Sequence, residues 1–381
     1  MKKVVVLGGG MVGFAMAGDL AKQGFDVTVA DVRPEALDRA KSKLGVATLK
    51  ADLSDPSAVG RLVAPFDMVF GALASVLGYQ TLRAVIEAKK SYCDISFMPE
   101  DAWELDGLAK QHGVTAVVDC GVGPGMSNMM AGWAARAMSP CERIEIYVGG
   151  LPAERRWPYW YKAPFAPSDV LEEYVRPSRI VEHGRIVIKE ALSEPELLDF
   201  AGVGTLEAFN TDGLRSLAYT LKVPFMKEKT MRWPGHIELM RALRETGFLS
   251  KEPVTVGGAT VRPLDVTAKL LFPKWTFDEG EADVTVMRVF AEGREHGKRV
   301  RRTWDLFDRY DPATNLRSMS RTTAFPAAIV GALIANGVFT EPGVHPPEVL
   351  GQTDGLLERV LGELETRGVH YSARVEVLAE G

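Results

Sequence analysis

Lys3-Val4-Val5-Val6-Leu7-Gly8-Gly9-Gly10-Met11-Val12-Gly13 opens the chain after its first two residues. Lys3–Leu7 is an almost unbroken run of strand-forming apolar residues, and Gly8, Gly10 and Gly13 follow it in G-x-G-x-x-G spacing. Each glycine has a separate physical task. Gly8 permits a tight turn, Gly10 lets backbone approach a pyrophosphate, and Gly13 lets a helix lie close to the strand. Met11 and Val12 begin that helix, whose first N–H groups and positive dipole end suit phosphate. A purely structural glycine turn would not also require the strand before, the helix after and an acid further on. Asp31 is that acid, 18 residues beyond Gly13 at the end of the second strand pattern. A carboxylate there accepts from ribose hydroxyls and repels a 2′-phosphate, so NAD is the expected cofactor. Arg33 opposes this preference, because a guanidinium two residues on can pair with that phosphate.

Strand and helix patterns alternate outward from this stretch. Asp26–Ala30, Val46–Lys50, Asp67–Gly71, Ser91–Ile95 and Val114–Val118 read as strands. Met11–Lys22, Pro56–Val63, Tyr79–Ala88 and Glu100–Gln111 read as helices between them. That order predicts right-handed βαβ units and a doubly wound parallel sheet of the Rossmann type over residues 1–125. Asp52 and Leu53 follow the third strand, where an adenine ring is expected. Ala72 and Leu73 follow the fourth, beside the expected nicotinamide ribose; packing explains their small size equally well.

Beyond residue 125 the pattern changes to strand runs and helices without βαβ order. Arg179–Ile188 reads as a hairpin turning at His183-Gly184, and Ala282–Ala291 with Lys298–Phe307 as an alternating strand pair. These predict an α+β domain on a mostly antiparallel sheet over 126–311. The last segment returns to helical patterns at Ala324–Asn336 and Pro347–Arg367, then to an alternating strand at Tyr371–Leu378.

Composition narrows the function classes. The chain has 381 residues, 46% of them hydrophobic, and a formal net charge of −5. This gives no general attraction to nucleic acid or to an anionic membrane. The basic run Lys298–Arg302 is interrupted by Val300 and reads as one solvated strand face. Three cysteines without paired spacing and six scattered histidines argue against a disulfide framework and a structural zinc, so no metal is expected. The apolar N-terminal stretch runs into Asp19 and Lys22 with no small-residue cleavage signal, and no run reaches membrane-spanning length. The expectation is a soluble, cytoplasmic enzyme.

Several further stretches are similar to the saccharopine dehydrogenase superfamily, most of all its L-lysine 6-dehydrogenase branch. They are Val118-Asp119-Cys120-Gly121-Val122-Gly123-Pro124-Gly125-Met126-Ser127-Asn128, Tyr161-Lys162-Ala163-Pro164-Phe165, Glu207–Arg215 and Lys229-Thr230-Met231-Arg232-Trp233-Pro234-Gly235-His236. Arg321–Pro326 and Gly343–Glu348 complete the resemblance. It implies that residues 312–381 return to complete the Rossmann domain. It also implies that the second domain's sheet forms a homodimer or larger assembly. The reaction implied is oxidation of an amino acid's amine by hydride transfer to NAD, with the ε-amine of L-lysine giving the 6-semialdehyde and ammonia. Saccharopine dehydrogenase or reductase chemistry and carboxynorspermidine-type imine reduction remain alternatives on the same fold, and a non-catalytic NAD-binding sensor is the rival from another class.

A dibasic amino acid needs a cation for its carboxylate and carboxylates for its ammonium groups. Arg215 and Arg232 are candidates for the first role, Asp212 and Glu173 for the second, with Thr211 beside Asp212 and Tyr161 in an aromatic wall that runs from Trp157 to Tyr161. Asp212 reads equally as a turn cap. His236 suits proton transfer by its ordinary pKa, or else satisfies a helix end. Lys162 reads as a desolvated lysine, a carboxylate contact or a solvated side chain. Asp94 ends the fifth strand, where open α/β sheets place ligand chemistry, and is either a base or a helix cap. Tyr92 and Asp119 occupy comparable strand ends. The catalytic candidates are therefore Asp94, Lys162 and His236.

Overall fold

A computed structural model describes residues 1–164 and 167–379, and its chain divides into two units. Unit 1 comprises Met1–Trp133 and Ser320–His370; unit 2 comprises Ala134–Met319 and Tyr371–Gly381.

Unit 1 is built on parallel strands β1 (Lys3–Leu7), β2 (Asp26–Asp31), β3 (Ala47–Lys50), β4 (Met68–Gly71), β5 (Ser91–Asp94) and β6 (Thr115–Val117). With the late strand Gly343–His345 beside β6, the order is Gly343–His345, β6, β5, β4, β1, β2, β3. Val4, Val5, Val6 and Leu7 are all fully buried. A central parallel strand is covered on both faces, which is why β1 reads as a continuous apolar run. Helices α1 (Met11–Lys22), α2 (Pro34–Leu44), α3 (Pro56–Val63), α4 (Ser75–Glu87) and α5 (Asp106–His112) link the strands. Helix α2 starts with Pro34 in its first turn and stops at Gly45 in left-handed conformation (φ 68°), as the sequence dictates. Helix α6 (Met126–Ala137) follows β6.

Unit 2 holds a mixed, mostly antiparallel sheet. Its strands are β7 (Cys141–Pro152), β8 (Ser178–Glu182), β9 (Arg185–Lys189), β10 (Glu196–Phe200), β11 (Gly204–Asn210) and β12 (Phe225–Arg232). A separate hairpin, β13 (Val254–Val256) and β14 (Ala259–Val261), precedes the long pair β15 (Asp283–Glu295) and β16 (Lys298–Arg309). The sheet runs β10, β11, β12, β7, β15, β16 and then the C-terminal strand, with β7 and β12 its parallel pair and β8 pairing β12 and β9. Helices α7 (Pro167–Val175), α8 (Leu217–Thr220), α9 (His236–Glu245) and α10 (Pro263–Trp275) belong to this unit. Tyr161, Tyr174, Phe209, Ile237 and Trp275 form one of its cores.

Two expectations are corrected. Tyr371–Val377 does not complete the Rossmann sheet; it pairs antiparallel with β16, Val300 opposite Val377 through Leu306 opposite Tyr371. Its alternating pattern is that of an antiparallel edge strand, whereas Gly343–His345, which does join unit 1, is short and fully buried. Pro347–Arg367 is two helices, Pro347–Gln352 and Leu356–Thr366, divided where Gly355 turns left-handed (φ 71°). Among the described residues no helix is long and apolar enough to cross a membrane. Phe165, the last residue of the stretch Tyr161-Lys162-Ala163-Pro164-Phe165, lies outside the described residues.

Candidate active site

The glycine turn of unit 1 leaves a cradle that side chains would fill. Gly8 has φ 100°, and a Cβ there would stand 2.4 Å from the Ala72 carbonyl oxygen and 3.2 Å from Leu73 Cδ2. The turn therefore rests directly on the end of β4. A Cβ on Gly13 would meet the Gly8 oxygen at 1.9 Å, so α1 touches the turn without an intervening side chain. Above Gly10 the space is open, with Arg33 Nη2 at 3.8 Å its nearest neighbour. Gly10 caps α1 with no side-chain acceptor, and Met11 and Val12 open the helix. These residues fit a pyrophosphate, which would take the place of the missing cap.

Asp31 ends β2 almost buried and accepts from Gly9 N at 2.7 Å. Burial opposes its ionisation, but hydrogen bonds from the Arg33 side chain, Arg33 N and Gly9 N prevail and hold the carboxyl below its usual range. Asp52 turns back on its own loop, accepting from Ser54 N at 2.9 Å and Ser54 Oγ at 2.6 Å. Leu53 packs into the core of unit 1. The structure thus gathers Gly8, Gly10, Met11, Val12, Gly13, Asp31, Ala72 and Leu73 at one end of the parallel sheet, while Leu53 is a core residue rather than an exposed contact.

Asp94 ends β5 in the same sheet and is fully buried. Its Oδ1 accepts from Ser96 N at 3.1 Å and Ser96 Oγ at 2.8 Å, so the capping reading holds for one oxygen. Oδ2 is buried with no hydrogen-bond partner among the described residues, as is the Tyr92 hydroxyl. Both side chains crowd the end of β4: a Cβ on Gly71 would lie 2.0 Å from Tyr92 Oη and 2.2 Å from Asp94 Oδ1. Burial pushes the Asp94 carboxyl up to about 6, against the Ser96 bonds and with repulsion from Asp119 added. Asp119 itself sits at φ 52°, a strained position for a non-glycine residue.

In unit 2 the expected substrate residues divide. Arg232 is buried, giving Nη2 to Glu173 at 2.6 Å, Nη1 to the Met231 carbonyl at 3.0 Å and Nε to Tyr174 Oη at 3.3 Å. Its guanidinium lies 4.5 Å over the Tyr161 ring. Arg232 is therefore a structural ion of this core and not an open carboxylate grip. Glu173, a candidate for ammonium, is its partner. His236 is corrected too. Its Nε2 lies 2.8 Å from Tyr174 Oη and its Nδ1 2.8 Å from the Tyr159 carbonyl, with no exposure. Burial, reinforced by the Arg232 charge, lowers its pKa to about 3, so the ring is neutral and locked rather than poised for proton transfer. Thr211 donates to Glu228 at 2.6 Å, and Asp212 is held by the Arg179 fork at 2.8 and 2.7 Å. Arg215, half-buried at φ 52°, follows in the same turn.

Glu228 escaped the sequence reading. It is buried on β12, also accepts from Gly213 N at 3.0 Å, and burial raises its carboxyl to about 8. The one signal was an acid alternating with Lys227 and Lys229 in a strand, which by itself reads as a solvated face. A pocket in this unit brings together Trp157, Tyr159 and Tyr161 with Arg156, Lys162 and Glu281. Lys162 is not an isolated desolvated lysine there; its ammonium pairs with Glu281 and, at 3.3 Å, with Asp278.

A parallel sheet that bares backbone at Gly8 and Gly10, and meets it with a carboxylate from the next strand, defines unit 1 as a dinucleotide-binding domain of the Rossmann class. The chain belongs to the saccharopine dehydrogenase family. The family's NADP binding domain matches residues 4–117 and its C-terminal domain residues 121–369. The chain is 22% identical over 452 residues to the mitochondrial alpha-aminoadipic semialdehyde synthase of Bos taurus, across 98% of this chain and 48% of that protein. It thus spans about half the length of that relative. It is 24% identical to the saccharopine dehydrogenase (NADP(+), L-glutamate-forming) of Pyricularia oryzae, across 78% and 69% of the two chains. Carboxynorspermidine synthase of Vibrio cholerae is 25% identical across 74% and 73%. Apo saccharopine dehydrogenase (L-Glu forming) from Saccharomyces cerevisiae shares the fold, with a TM-score of 0.80 over 99% of this chain and 100% of that one at 18% identity.

Proposed function

We propose that this chain is an NAD-dependent L-lysine 6-dehydrogenase, converting the ε-amine to the 6-semialdehyde with release of ammonia. The observation that carries the reading is Asp94, a buried carboxyl at the strand ends of the dinucleotide sheet, raised to about 6 and with one oxygen unpartnered among the described residues. Amine oxidation begins with loss of a proton from the ε-ammonium, which a carboxylate ionised at pH 7 to 9 and screened from water can accept. The Cε–H bond then breaks with its electron pair, and C=N forms. NAD, when bound, supplies the hydride acceptor. Water adds to the imine carbon and ammonia leaves. Tyr92 and Gly71 hold Asp94 in place, since no side chain separates them from β4.

Engagement of the spare arginines supports lysine over a larger substrate. Saccharopine adds carboxylates that demand further cations, yet Arg179 is committed to Asp212, Arg156 to Glu154, and Arg155 is stacked 3.8 Å from the Trp233 ring. The aromatic pocket carries Arg156, Lys162 and Lys274 with Glu154 and Glu281 beside Tyr161, charges of both signs for the two ends of a zwitterionic amino acid. The name of the Pyricularia relative favours saccharopine chemistry as the second reading.

A homodimer through the unit 2 sheet and a cytoplasmic location complete the proposal; the exposed edge residues Val375 and Val377 support the first. The test follows NADH formation with L-lysine and saccharopine in parallel. Turnover of lysine with one ammonia per NADH supports the proposal. Turnover of saccharopine alone, giving glutamate, overturns it.

A further inference from the structure

Helix α10 has two apolar sides, and only one of them is buried. Thr267, Leu271 and Trp275 face inward. On the other side Val266, Leu270 and Pro273 recur at helical spacing and are exposed, Leu270 at 67%. The β13–β14 hairpin leads straight into this helix, since Arg262 caps α10 directly after Val261 ends β14. Val254 and Val256 are exposed on the hairpin, on the face they share with their cross-strand partners Val261 and Ala259. Phe248, exposed as well, is tied to α10 through its carbonyl, which accepts from Thr267 Oγ1 at 2.8 Å.

Two features say what covers this face. The ribbon from 254 to 261 carries no charged residue, and among the described residues no third strand joins it. A two-stranded ribbon alone in water is marginal, and edges meant to stay open are ordinarily guarded by charge. The charges beside the α10 stripe, in turn, complement themselves. Asp265 and Lys269 lie on the same flank of the helix by its 3.6-residue period. The Asp265 side chain is 55% exposed and paired with Arg262 at 2.7 Å; Lys269 is paired with no carboxylate among the described residues. Two α10 helices that meet antiparallel about a twofold axis set Val266 of one against Leu270 of the other. The same flank of each then faces the other, which brings each Asp265 beside the Lys269 of the second copy. A surface of one charge sign, such as an anionic membrane, would gain nothing from that alternation.

We propose that the exposed stripe of α10, with the β13–β14 ribbon beside it, is an isologous interface to a second copy of this chain. Val266 and Leu270 form its apolar centre, and Asp265 with Lys269 fixes its antiparallel register. The face is separate from the C-terminal strand that carries Val375 and Val377, so a chain using both assembles as a dimer of dimers. The inference does not rest on lysine as substrate.

Sedimentation equilibrium of the full chain at micromolar concentration tests this, with the variants L270D, D265K and D265K/K269D. A twofold interface carries each substitution twice, so L270D is expected to weaken self-association by about a hundredfold and to halve the wild-type mass. Its thermal transition, followed at a concentration where the wild type is dissociated, should match that of the wild type, because Leu270 is exposed in the single chain. D265K sets lysine against lysine and weakens association by about tenfold; D265K/K269D restores opposite charges and with them the wild-type mass. A wild-type mass retained in L270D assigns assembly to another face and overturns the proposal. A wild type that is monomeric leaves the stripe to a different partner and overturns it too. A double variant no better associated than D265K overturns the antiparallel twofold pairing on which the proposal stands.

Discussion

The Tyr174 hydroxyl lies 2.8 Å from His236 Nε2, and the other nitrogen of that ring lies 2.8 Å from the Tyr159 carbonyl. With both nitrogens engaged and Arg232 nearby, the imidazole is a neutral clamp between α9, α7 and the aromatic loop. His236→Ala is expected to lower stability by about 3 kcal/mol, because it leaves buried polar atoms unpaired and a cavity behind. Thermal unfolding and the pH–rate profile check this together. A normal transition with a displaced profile would return His236 to proton transfer.

Asp94→Asn keeps the shape and the Ser96 contact but cannot take a proton. Turnover should fall by roughly 10² to 10⁴ with NADH binding retained. In the wild type, kcat/KM should rise with pH through about 6, the pH at which this buried carboxyl ionises. In the variant that rising limb should vanish.

Asp31→Ala removes the ribose acceptor and frees Arg33. NADH affinity should fall by about tenfold, the worth of one good hydrogen bond to a charged group, and NADPH affinity by less. An unchanged ratio of the two dissociation constants would remove Asp31 from cofactor choice.

Glu228 predicts a pH dependence of stability with a definite sign. Its carboxyl is raised in the folded state to about 8, so between the ordinary glutamate value and 8 the folded chain binds the extra proton. The stabilisation is complete at low pH and is lost as pH rises through 8. Glu228→Gln should leave a Tm that falls less between pH 6 and 9 than that of the wild type. Parallel curves would show that Glu228 is ionised throughout.

Gly13→Ala should abolish cofactor binding, since its Cβ would stand 1.9 Å from the backbone oxygen of Gly8 and neither atom has a flexible route away. Gly18 offers a control on the same helix, where the nearest atom is a flexible Leu44 methyl at 3.1 Å. Titration with NADH separates the two variants.

The sequence by itself determined the Rossmann unit and the cofactor end of the site. Strand β1, helix α1 and helix α3 fall at the expected residues, because buried parallel strands and glycine turns are written in local order: an apolar run, a glycine spacing, a proline at a helix start. Asp31 and Asp94 were legible for the same reason, each standing at a strand end that neighbouring residues define. What only the tertiary structure decided is the state of each charged group in unit 2. Arg232 and His236 have the residue types of a binding site, yet partners 58 to 77 residues away bury and satisfy them. Glu228 was hidden in an alternating charged strand and becomes a raised, buried acid once Thr211 and Gly213 fold over it. The C-terminal strand joined the second sheet instead of the first. Desolvation and ion pairing depend on which distant side chains arrive, and local sequence order carries no record of them.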